Sequence, residues 1–373
     1  MLKYMTAGES HGSCLVAILQ GMPHGVRINP DLINEQLKRR QSGYGRGKRM
    51  QIESDKVRIL SGLRKGLTIA SPITLVIDNK DKSLDTLAPV ICPRPGHADL
   101  AGMLKYNTQD ARDILERASA RETAARVAVG SVCRQFLSLF SIDLLSHIKA
   151  LAGVEAKVDD LTPIKIKTLI QKSELSCADK NAQALMKKAI DKAKAEGDTV
   201  GGIFEVIALG VPAGLGSCMD REKKLDARLG LELFSIQAIK AISFGRGFEA
   251  SSLRGSRFHD AIYFKNGRFL RKTNNAGGIE GGMTNGEPIR VSCVMKPIST
   301  LMNPLDSVNI KTKNPQRAAT ERSDTCALFA AGVVAENVAA IVLAGAFLEK
   351  FGSDSLTEIK RNYLGYIEQV KRF

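Results

Sequence analysis

The chain has 373 residues, 44% of them hydrophobic and 25% charged, an ordinary globular balance that needs no disulfide or metal staple. It carries a formal net charge of +15 with no tryptophan and few other aromatics, which counts against a single-strand nucleic-acid binder that stacks bases between basic residues. The Lys and Arg residues run through the whole chain without a basic tail, so the surplus reads either as solubility or as a pocket for a polyanion.

In chain order, the N-terminal MLKYMTAGESHG lacks an apolar core of signal-peptide length, and a cytoplasmic protein is expected. Leu15 to Leu19 reads as a strand closed by a Gly-Met-Pro turn, and Asp31 to Arg40 as a helix with Leu32, Ile33 and Leu37 on one face. Gln41 to Arg49 is a basic, glycine-rich segment expected to be a mobile loop. Val57 to Leu60 and Ile73 to Ile77 read as strands, and 78–110 as mainly irregular. Ser119 with Glu122 fits a capping box, Ser119 as N-cap, before a helix to about Phe140.

Residues 155–200 are polar and Lys-rich and form a peripheral excursion, with an amphipathic helix near Asn181 to Ala195. A strand follows at Gly202 to Val211, a helix at Leu225 to Ile242, a glycine-rich stretch at Ala276 to Gly286 and a strand at Ile289 to Met295. The longest apolar run, Cys326 to Leu348, approaches membrane-spanning length, but Glu336 and Asn337 interrupt it and it reads as a buried helix starting near Thr325. Glu116-Arg117-Ala118-Ser119 and Glu321-Arg322-Ser323-Asp324 form a faint internal echo, each ahead of a long Ala/Val-rich helix. Short strands between helices favour one mixed α/β sandwich domain over a doubly wound sheet. The seven cysteines are widely spaced, with no Cys-x-x-Cys pair, and are expected to be reduced and mostly buried.

The candidate chemistry starts with His11 and His97. Each sits in a tight, glycine-bordered turn, as Gly-Glu-Ser-His-Gly and Pro-Gly-His-Ala, and a pair in such settings suits acid–base work near neutral pH. Neither belongs to an array with metal-ligand spacing, so no metal is expected. Ser119, flanked by Arg117 and Arg121, reads as a plain helix cap or as an anion site at a helix N-terminus. The loop carrying Arg40, Arg46, Lys48 and Arg49 fails the P-loop pattern, yet it reads equally as a solvated loop or as a closure over an anionic ligand. The glycines of 276–286 lack a dinucleotide fingerprint. Asp324, beside Arg322, reads as a cap or a base.

Together these segments resemble chorismate synthases along essentially the whole chain: GESHG (8–12), RRQSGYGR (39–46), RPGHAD (94–99), RASARET (117–123), AGGIEGG (276–282), KPIST (296–300) and RSD (322–324). The resemblance implies helices packed between antiparallel sheets. It also implies an anti-1,4-elimination of phosphate from 5-enolpyruvylshikimate 3-phosphate, the last common step towards the aromatic amino acids, using reduced FMN without net redox change.

By the same resemblance FMN contacts Arg117, Ala118, Ser119, Gln237, Ala238, Gly281, Lys296, Pro297, Ile298, Ser299, Thr300 and Arg322. Ser10, Arg40, Arg46, Arg94 and Arg121 would bind substrate or NADPH. His11 would protonate the leaving phosphate, His97 would sit by the flavin, and Asp324 would act with the flavin in removing the C6 proton. A homotetramer, an external flavin reductase, and no nucleic-acid or membrane partner are further expectations. The chain departs from the family pattern at Gln41-Ser42, where many relatives have Arg-Pro, and at Ala327-Leu328-Phe329 after the Arg-Ser-Asp-x-Cys segment.

Overall fold

Along the apolar run Cys14–Gln20 successive side chains point to opposite faces, which buries Leu15, Ala17 and Leu19 on one face of a four-stranded antiparallel sheet. A computed structural model describes residues 2–46, 55–265, 267–321 and 323–373, and in it this sheet runs Lys3–Ala7, Cys14–Gln20, Ile73–Asp78, Val57–Ile59. A second antiparallel sheet runs Ile239–Phe244, Ile289–Met295, Gly202–Leu209, Asp143–Leu151, Val154–Glu155. Ile289, Val291, Cys293 and Met295 alternate inward on its second strand.

Two long helices fill the space between. Thr123–Ser138 packs on the first sheet, Leu328–Phe351 packs on the second, and the two pack on each other. This is the sandwich of helices between antiparallel sheets that the sequence implied. Gly130 sets the helix–helix spacing: a Cβ there would stand 2.3 Å from the Asn337 carbonyl oxygen. The Leu328–Phe351 helix is apolar enough to pass for a membrane span, yet 94% of its most apolar window is buried inside the protein. Its mid-helix Glu336 is fully buried and accepts hydrogen bonds from Arg39, Arg134 and Ser146, which is how a carboxylate survives there.

The Lys-rich segment forms helices Pro163–Ile170 and Lys180–Ala195. Ile166 packs on a satellite cluster against the second sheet, while Met186 and Ile190 reach the main core. Five of the seven cysteines are buried, Cys14 is half-buried, Cys218 is exposed, and all seven are free thiols.

Four sequence expectations need correction. The expected helix Leu225 to Ile242 is a helix only over Leu225–Phe234; Ile239–Phe244 is an edge strand. Between them Ala238 takes φ of +68°, a left-handed turn that no pattern flagged at a non-glycine residue. The irregular span 78–110 contains the helix Asp99–Tyr106, and a further helix, Arg112–Ala118, precedes Ser119. Ser119 Oγ accepts from Arg121 N–H at the start of a 3-10 turn, Ala120–Glu122, and the Glu122 side chain turns to Arg126, Thr6 and Gln237, so the reciprocal capping box does not form. The helix expected near Thr325 starts at Leu328, so Asp324 does not cap it, and it is not the last, since the helix Leu356–Arg372 follows.

Candidate active site

Gly8 gives the first catalytic candidate its position. With φ of +101° it turns the chain against Cys14, whose carbonyl oxygen would lie 2.2 Å from any Cβ. The turn delivers Ser10 and His11 onto the Arg112–Ala118 helix: Ser10 N–H donates to the Glu116 carbonyl at 3.0 Å, and His11 Nδ1 stands 2.7 Å from Glu116 Oε2. Glu116 is 2% exposed. Burial opposes its ionisation, but hydrogen bonds and charge from His11 and Arg112 outweigh that and hold its carboxyl below the ordinary range.

His97 has a parallel arrangement. Its Nδ1 stands 2.5 Å from Oδ1 of Asp99, the fully buried first residue of the Asp99–Tyr106 helix. Arg94 grips the same carboxylate in bidentate fashion at 2.8 and 3.1 Å and donates a third bond to Thr300 Oγ1, tying the 94–99 turn to the 296–300 segment. Burial opposes ionisation of Asp99 too, yet hydrogen bonds from His97 and Arg94 hold its carboxyl well below the carboxylate range. Gly96, with φ of +74°, brings its carbonyl to the Lys296 ammonium at 2.5 Å and the Ser299 hydroxyl at 2.8 Å.

Both histidines face one cavity of about 1010 Å³. Leu115, Ile236, Met295, Ile298, Ala331 and Val334 make its apolar wall. Its polar wall holds Ser10, Arg40, Arg46, Arg94, Ser119, Arg121, Gln237, Lys296, Ser299, Thr300 and Asp324, with Ala118 and Ala238 beside them. Arg40 and Arg121 share one buried carboxylate, Asp55, at 3.2 and 2.6 Å. Arg40 is pushed down to about 10, first by burial and then by repulsion from Arg121 and Arg46, which Asp55 offsets only in part. Arg40 Nε and Arg46 Nε are buried without a hydrogen-bond partner among the described residues. An under-neutralised cationic wall opposite an apolar one suits a flat, amphipathic polyanion. Among the described residues no cluster of three or more His, Cys, Asp or Glu converges as a metal site.

A family model for chorismate synthase matches residues 2–348. The chain belongs to the chorismate synthase family. It is 52% identical to the chorismate synthase of Geotalea daltonii and 51% identical to that of Geobacter sulfurreducens, in each case over the full length of both chains. A solved chorismate synthase structure superposes with a TM-score of 0.83 at 40% identity, covering 100% of this chain and 99% of that one.

Of the residues the family pattern implies, three lie away from this cavity. Arg117 donates to the Gly8 and Thr6 carbonyls at 2.9 and 2.8 Å, Gly281 lies in the Ile279–Thr284 hairpin beside Cys218, and Pro297 does not line the wall. Arg322, Lys48 and Arg49 fall outside the described residues. Phe329, in one of the family departures, packs directly on Gly43, the residue that follows the other, Gln41-Ser42. The described part of the loop is tied down: Tyr44 donates to Asp191, Thr325 N–H donates to the Gly45 carbonyl, and Arg46 pairs with Asp324 at 2.6 Å. In the internal echo, Glu116 is helical and Glu321, Ser323 and Asp324 are not, but Arg112 bridges Glu116 and Glu321 at 3.1 and 2.9 Å.

Sequence reasoning missed Glu116, Asp99 and Asp55 as partners. Asp99 stood in the quoted motif two residues from His97, and its neighbourhood was the available signal. Asp55 meets Arg40 and Arg121 only through the tertiary fold, which leaves no local trace.

Proposed function

We propose that this chain eliminates phosphate and a proton from 5-enolpyruvylshikimate 3-phosphate in the anti-1,4 sense to give chorismate, with reduced FMN held in the same cavity. The observation that carries the reading is the convergence of His11, His97 and Asp324 on one arginine-lined cavity.

The residues present fit a flavin mononucleotide. The apolar wall offers a surface for the ring, Gln237 Oε1 is a buried acceptor without a partner among the described residues, and the hydroxyls of Ser119, Ser299 and Thr300 lie with Lys296 on the polar wall. Reduced flavin, when bound, supplies electron density that helps the phosphate C–O bond break; the protein supplies charge and orientation.

Arg40, Arg46, Arg94 and Arg121 bind the phosphate and carboxylates of the substrate, and their charge stabilises the phosphate as it departs. As the imidazolium, with Nδ1–H donating to Glu116, His11 presents Nε2–H to the cavity and delivers that proton to the leaving phosphate oxygen, which leaves the neutral ring with its remaining proton on Nδ1. His97, with Nδ1–H donating to Asp99, presents Nε2 as a proton-holding group beside the flavin site. Asp324 accepts the substrate's C6 proton, a step that a bound reduced flavin would assist. The apolar wall excludes water from these steps.

Homotetrameric assembly, a cytoplasmic location and reduction of the flavin by an external reductase, with NADPH as the possible reductant, belong to the same proposal and rest on the family pattern. The test is incubation of the purified chain with substrate and reduced FMN: chorismate and phosphate should form. Full activity with oxidised FMN and no reductant contradicts the mechanism.

A further inference from the structure

We infer that Glu116 is a positioning residue for His11, holding one ring proton on Nδ1 so that the proton it donates is the one on Nε2, and, through Arg112 and Glu321, tying the histidine to the segment that carries Asp324. This deepens the elimination reading above and rests on it for His11's role as proton donor.

The geometry leaves one arrangement. At 2.7 Å between His11 Nδ1 and Glu116 Oε2, two lone pairs would repel, so the proton lies on Nδ1 and Nε2 faces the cavity. The same Oε2 accepts the His11 backbone N–H at 3.2 Å, and the Glu116 carbonyl accepts from Ser10 N–H at 3.0 Å. The 8–12 turn is therefore clamped to one helical residue by three hydrogen bonds, which fixes both the ring's tautomer and its place. Asp81, exposed and 3.9 Å from Nε2, is too distant to hydrogen-bond there.

Glu116 is itself held. Arg112, one turn earlier, donates to Oε1 at 3.1 Å, and its other terminal nitrogen donates to Glu321 Oε1 at 2.9 Å. Arg112 Nε donates to the Ala88 carbonyl at 2.6 Å, so its guanidinium is fixed on three sides. Glu321 is three residues before Asp324, and both line the cavity. The chain His11–Glu116–Arg112–Glu321 thus sets the spacing between the proton donor and the proton acceptor of one elimination.

The test is nitrogen NMR on the full-length protein at a pH where histidines are neutral, with His11 assigned by loss of its signals in His11→Gln. Wild type should show protonated Nδ1 and bare Nε2, and Glu116→Ala should move the proton to Nε2. In turnover, Glu116→Ala should lower kcat by roughly 10²- to 10³-fold, within the range for a mispositioned acid–base group, with KM nearly unchanged. Glu116→Asp should recover part of the loss. A wild-type His11 with its proton on Nε2, or a Glu116→Ala variant with unchanged kcat, overturns the inference. The wild-type spectrum decides the point even if a variant fails to fold. It also stands apart from the elimination reading, which fails separately if wild type makes no chorismate.

Discussion

Arg46 Nη1 lies 2.6 Å from Asp324 Oδ2, so the proposed proton acceptor and a proposed anion-binding group are one ion pair in this structure. An anionic substrate group competes for Arg46, and binding would loosen its hold on the Asp324 carboxylate. Asp324→Asn should lower kcat by at least about 10²-fold with little change in KM. Arg46→Ala should instead raise KM for the polyanionic substrate. Steady-state phosphate release separates the two, and equal KM increases in both variants would contradict this division of roles.

His11→Ala and His97→Ala should each cut turnover by roughly 10²- to 10⁴-fold, because each removes a group placed to move a proton. Circular dichroism melts should show little change in fold, since both rings lie at the cavity wall rather than in the core. Loss of the folded state in either variant would point to a structural role for that histidine.

Glu205 makes acid stability measurable. Burial works against its ionisation, but the hydrogen bond from His147 at 2.9 Å and the charge of Arg290 hold its carboxyl down at about 2. A carboxyl lower in the folded than in the unfolded chain adds stability that is full above about pH 5 and disappears as pH falls towards 2. Asp99 and Glu116 act in the same direction. Denaturant melts of wild type should therefore lose stability over that window. Glu205→Gln should flatten the profile and cost on the order of 3 kcal/mol at pH 7, since Arg290 loses its counter-charge and His147 its carboxylate partner.

The helix pair can be tested through Gly130. A methyl group there meets the Asn337 backbone, which cannot step aside as a flexible side chain would. Gly130→Ala, which in an isolated helix would add stability, should here cost roughly 1–3 kcal/mol as overpacking and lower Tm. An unchanged Tm would mean the helices can separate at no cost.

Those two helices were legible in the sequence because their apolar runs are long: Leu328–Phe351 could be nothing but buried once Glu336 was given partners. The strand Cys14–Gln20 was legible as a short apolar run closed by a Gly-Met-Pro turn, and Ile289–Met295 carries the alternation of a half-buried strand over most of its length. The helix read through to Ile242 failed because Ile236, Ile239 and Ile242 continue a helical spacing, while the left-handed turn at Ala238 has no residue signature. In the site, His11, His97 and Asp324 stood out by motif. Their settings did not: Glu116, Asp99 and Asp55 become partners only when helices, turns and loops far apart in the chain are packed together.

The central claim is that reduced flavin assists the elimination without being consumed, and an anaerobic turnover measurement tests it most directly. With substrate in large excess over enzyme and reduced FMN, chorismate and phosphate should accumulate one to one through many turnovers, and the flavin absorbance should show it still reduced at the end. Flavin oxidised in step with product, or product formed equally well by oxidised FMN alone, would contradict the account.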